Sequence, residues 1–171
     1  MKPTNEVVAC VIDTGVFMHV ARRLSREYKK VYYWSPWETS FPKFRDAIIC
    51  DGYEEVIRVE SVGEVENECD LFVFLDIGFS HMQNRLIKQG KAVWGCRDAD
   101  ELEARRGKFL EVLEKQTDLP VPKFERVKGL TNLRLFLQEN EDRYIKVSTY
   151  RGDFETCHFR NMEMDEGLLD K

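Results

Sequence analysis

Two stretches, Val7-Val8-Ala9-Cys10-Val11-Ile12 and Leu71-Phe72-Val73-Phe74-Leu75, are continuous apolar runs of strand length. Such runs suit strands covered on both faces of a parallel sheet, where neither side meets water. Asp13-Thr14-Gly15 ends the first run and Asp76-Ile77-Gly78 the second. After the first, Phe17, Val20, Ala21, Leu24 and Tyr28 recur at helical spacing, with Arg22, Arg23, Arg26 and Lys29 between them, which predicts an amphipathic helix. After the second, Ser80 with Gln83 has the form of a capping box ahead of Met82, Leu86 and Ile87, and Gly90 marks a stop. Val31-Tyr32-Tyr33-Trp34, Val56-Ile57-Arg58-Val59 and Ala92-Val93-Trp94 read as further strands; residues 35–42 read as loop and 44–49 as a short element of unassigned type. Alternating strands and helices predict an α/β class: a doubly wound, mainly parallel, Rossmann-like sheet over residues 1–96.

From residue 97 the pattern changes. Asp98 with Glu101 predicts a capped helix whose buried stripe is Leu102, Phe109, Leu110 and Leu113. Pro120 and Pro122 impose an extended crossing, residues 124–127 alternate as a short strand does, and Thr131 can cap a helix containing Leu133, Phe136 and Leu137. Then Tyr144-Ile145-Lys146-Val147-Ser148-Thr149 carries one lysine on a half-apolar strand and opens into Tyr150-Arg151-Gly152-Asp153. A cation on a strand followed by a glycine turn suits phosphate. Residues 97–171 thus read as a second, α+β unit.

Composition narrows the function classes. A formal charge of −5 over 171 residues gives no general attraction for a polyanion, so nucleic-acid binding is not expected and a phosphate site would have to be local. No apolar run approaches the roughly 18 residues of a membrane helix, and the start lacks the pattern of a signal peptide, so the expected compartment is the cytoplasm. Cys10, Cys50, Cys69, Cys96 and Cys157 lie far apart without a Cys-x-x-Cys and read as reduced, mostly buried thiols. His19, His81 and His158 have no metal-ligand spacing.

The order Val93-Trp94-Gly95-Cys96, a helix with Leu102-Glu103 and Lys108, Leu119-Pro120-Val121-Pro122, a helix, and Tyr144-Ile145-Lys146-Val147 resembles the start of an ATP-grasp ligase. The preceding α/β unit resembles that family's pre-ATP-grasp domain. Within the family, Leu102-Glu103 and His19 are most similar to phosphoribosylamine-glycine ligase of purine synthesis. The resemblance implies ATP with Mg2+ as cofactors, a small carboxylate and amine as substrates, and reaction through an acyl phosphate. It implies that Lys146 meets the α-phosphate and adenine edge, that Lys108 faces the phosphates, and that Ser148, Thr149, Arg151 and Gly152 belong to a loop closing over the γ-phosphate. Gly15, His19, Asp76 and Gly78 would line the substrate side. A homodimer is compatible with that assignment. Because the family's magnesium ligands and adenine hinge come well after the strand lysine, the resemblance also implies an N-terminal fragment that does not catalyse alone.

Other readings stand beside these. Lys146 can be an edge-strand lysine that discourages pairing. Lys108 can be a solvated helix lysine, and Asp76 a helix cap. Cys157 and His158 are not read as a nucleophile–base pair, since neighbours on a strand point to opposite faces. The functional alternative is a non-enzymatic α/β module that binds a small ligand or a protein.

Overall fold

In a computed structural model that describes residues 2–36, 48–147 and 156–170, the chain divides into two compact units, Met1–Asp100 and Glu101–Lys171. The first is α/β. Strands β1 (Val8–Ile12), β2 (Lys30–Trp34), β3 (Ile57–Arg58), β4 (Leu71–Phe74) and β5 (Ala92–Trp94) form an all-parallel sheet in the order β3-β2-β1-β4-β5.

Both long apolar runs are central strands, and β1 is buried along its whole length. The reason is visible in the layering. Val8, Cys10 and Ile12 point into one cluster with Phe72, Phe74 and Leu86 of helix α2 (Ser80–Lys88). Val11 points the other way, joining Val31, Tyr33 and Val73 against Ala21 of helix α1 (Met18–Leu24). The connection from β1 goes to one side of the sheet and that from β4 to the other, so helices on opposite faces make two crossovers of the same hand. The order in which strands are added across the sheet therefore reverses between β1 and β4, and the crevice beyond their carboxyl ends is the topological switch point.

The second unit contains α3 (Asp100–Ala104, starting at the boundary), α4 (Arg106–Gln116), α5 (Leu130–Glu139), the antiparallel pair β6 (Arg143–Lys146) and β7 (Thr156–Phe159), and α6 (Met162–Asp165). Its core is Leu137, Phe159 and Leu169, with Leu133, Phe136, Ile145 and Met162 packed around them.

Several sequence expectations are corrected. The single helix expected from Asp98 is broken at Arg105, whose backbone (φ −121°, ψ 77°) leaves the helical region just before Gly107, a poor helix former. The expected buried stripe is only half-buried on α4, and Phe109 is exposed. Residues 124–127 form no strand: the side chain of Arg126 pairs with Glu111 at 2.5 Å, and the segment has no ladder partner among the described residues. Thr131 does not cap α5; the N-cap position is Gly129, at φ +85°. Ser80 and Gln83 do not form a capping box either, for a reason given next.

Candidate functional site

The turns at the carboxyl end of the first unit's sheet are built around two carboxylates. Asp13, fully buried, follows β1. Its Oδ1 accepts from the Gly15 N–H at 2.7 Å and from the Tyr33 hydroxyl, and its Oδ2 accepts from the Phe17 N–H at 2.5 Å. The turn needs Gly15 twice over: φ is +93°, and a Cβ would come within 2.7 Å of Ile49 Cδ1. Burial first, and then the Asp13 carboxylate, push the Tyr33 phenol well above its ordinary value, so Tyr33 stays a donor.

Asp100 has the same role beyond β4. Its Oδ2 accepts from the Gly78, Phe79 and Ser80 N–H groups at 2.9, 3.0 and 3.0 Å, capping α2 from twenty residues downstream. A carboxylate on a helix N-terminus satisfies orphan donors and meets the positive end of the dipole. Gln83, displaced from the capping role, is buried and accepts from the Arg97 N–H at 2.8 Å. Gly95 lies against it: a Cβ there would fall 2.4 Å from Gln83 Oε1. The Cys96 thiol donates to Asp100 Oδ1; burial and that carboxylate raise it to about 11, so it is a poor nucleophile.

Across the switch point the Thr14 hydroxyl donates to Asp76 Oδ2. Gly15, Asp76 and Gly78 thus all sit at the sheet's carboxyl end, whereas His19 is exposed on α1, 6.3 Å from the Phe17 ring centroid. The chemical consequence concerns charge. The amides that could cradle a phosphate at Gly15, Phe17 and Gly78 to Ser80 already hold the chain's own carboxylates, and Asp76 adds another acid. The carboxylates already held on these amides weigh against a phosphate at this edge.

In the second unit, Lys108 on α4 is ion-paired with Glu101, which it holds below the usual carboxylate range. Lys146 lies at the end of β6, opposite Thr156. Residues directly opposite in an antiparallel pair share a face. Ile145 with Cys157 and Arg143 with Phe159 therefore share the core side, while Tyr144, Lys146, Thr156 and His158 share the other. Tyr144, Lys146 and His158 are exposed, and the Tyr144 and His158 rings stack. This face, with its aromatic pair, is a feature that sequence reading missed, although Tyr144 and Lys146 at i and i+2 signal it. Lys108 and Lys146 touch no common group among the described residues. Ser148, Thr149, Arg151 and Gly152 lie outside the described residues.

Among the described residues, no group of three or more His, Cys, Asp or Glu side chains is arranged to hold a metal ion, and no helix is long and apolar enough to cross a membrane. Comparison of the chain with protein-family models and with curated proteins gave no match.

Proposed function

We propose that this chain supplies the substrate-side α/β unit and the first half of the nucleotide clamp of an ATP-dependent carboxylate–amine ligase of the ATP-grasp type, with a glycine ligase as the specific version. In that reaction ATP phosphorylates a carboxylate and an amine displaces the phosphate. The observation that carries the reading is Lys146, exposed on the open face of β6 and β7, with the opposite face anchored in the core by Ile145 and Phe159. A strand places a point charge more rigidly than a loop does, and an ammonium suits phosphate oxygens. In that family the magnesium ligands come well after the strand lysine. The carboxylates already held on the amides at this edge of the first unit weigh against a phosphate as the substrate group there. The second reading of that unit is a module that binds a small ligand or a protein without catalysis.

Amide resonances followed during titration with Mg·ATP test the proposal. Shifts should concentrate on β6 and β7, and Lys146→Ala should weaken binding by about tenfold, the low end for a charge-assisted hydrogen bond at an exposed site. Shifts confined to the turns after β1 and β4, or equal affinity in the variant, would sink the ATP reading.

A further inference from the structure

The Tyr144 and His158 rings lie 4.6 Å apart at 11°, a face-to-face stack across the strand pair. His158 is held in turn: its Nε2 is 2.6 Å from Asp142 Oδ1. Asp142 is fixed by a left-handed backbone (φ 52°) and by its N–H, which donates to the Arg160 carbonyl at 2.9 Å. Yet this ordered tyrosine is 69% exposed. An exposed tyrosine ordinarily samples several rotamers; this one has one ring face against His158. The stack runs from β7 toward β6, so the other ring face lies on the side away from β7, where β6 has no strand partner among the described residues. That leaves an aromatic surface beside backbone donors and acceptors with no strand partner among the described residues.

Lys146 completes the arrangement. It lies two residues along on the same face, roughly 7 Å away at ~3.4 Å per residue, a span that a ribose covers between its base and its 5′-phosphate. We infer that the free ring face of Tyr144 is a stacking platform for the base of a purine nucleotide whose phosphate Lys146 takes, with His158 and Asp142 as positioning residues. The inference rests on the reading of Lys146 as a nucleotide-phosphate contact and adds the group that reads the base. Stacking tolerates any base but rewards the larger π-surface of a purine.

Calorimetry with Mg2+ and ATP, CTP or inorganic tripolyphosphate separates the two ideas. ATP should bind about tenfold more tightly than tripolyphosphate, in the range of one base stacked on one aromatic ring, with CTP between them. Tyr144→Leu should erase the ATP margin and leave tripolyphosphate binding unchanged, while Tyr144→Phe should keep the margin. His158→Ala should shrink it and remove the ring-current shift on the Tyr144 ring protons; His158→Phe should restore both. If Lys146→Ala weakens both ligands but Tyr144→Leu does not change ATP affinity, the platform is wrong and the lysine assignment stands. If Lys146→Ala changes neither, or ATP does not bind saturably, both fall.

Discussion

Asp13 is a charge that the fold cannot do without, because its two oxygens serve two amides and a buried phenol at once. Removing the carboxylate leaves those donors in a dry site, where each unsatisfied group costs on the order of 1–3 kcal/mol. Asp13→Ala should therefore lower stability by about 3 kcal/mol in urea unfolding followed by tryptophan fluorescence, and Asp13→Asn, which keeps one oxygen acceptor, by clearly less. Equal midpoints for parent and Ala variant would contradict this. In the sequence Asp13 is legible as the residue that stops a strand. Its partnership with Tyr33 is not, because the pairing depends on β2 lying beside β1 with Val11 opposite Tyr33, a register no local pattern encodes.

At the scale of elements, strands were easier to read than helix ends. Continuous apolar runs locate β1 and β4 because burial on both faces excludes polar residues over the whole length. Helix α2 is equally visible, but spacing alone points to Ser80 and Gln83 for its cap, whereas the structure draws it from Asp100. A carboxylate brought in by tertiary structure satisfies three amides together, more than a local serine could. Asp100→Ala should destabilise the first unit by about 2 kcal/mol, at the upper end for a lost helix cap, and should speed hydrogen exchange at Gly78, Phe79 and Ser80 ahead of the rest of α2. Unchanged exchange at those three amides would refute the cap. In the second unit the candidate site was half legible: Lys146 stood out by its charge on a strand, but the stacked pair of Tyr144 with His158 required knowing how β6 and β7 align.

The two units of the molecule differ in how much core they own. The first has hydrophobic clusters on both faces of its sheet, while the second gathers around Leu137, Phe159 and Leu169 and leaves Leu119, Leu135 and Met164 exposed. Local stability follows buried apolar contact, so the second unit should open first. Trp34 and Trp94, the tryptophans among the described residues, both belong to the first unit. Far-UV circular dichroism, which sees α4 and α5, should accordingly fall at lower denaturant than tryptophan fluorescence; coincident curves would mean that the units unfold as one. In the sequence the pattern changes near residue 97, where alternation of strands and helices stops. What the pattern could not locate was the last residue that the sheet needs. Asp100 stands just past the final strand, so a polypeptide cut at residue 96 would keep all five strands yet leave three amides at the head of α2 bare. Anyone dividing the gene into separately expressed halves should cut beyond codon 100, because the residue that finishes the first half is written at the opening of the helix that begins the second.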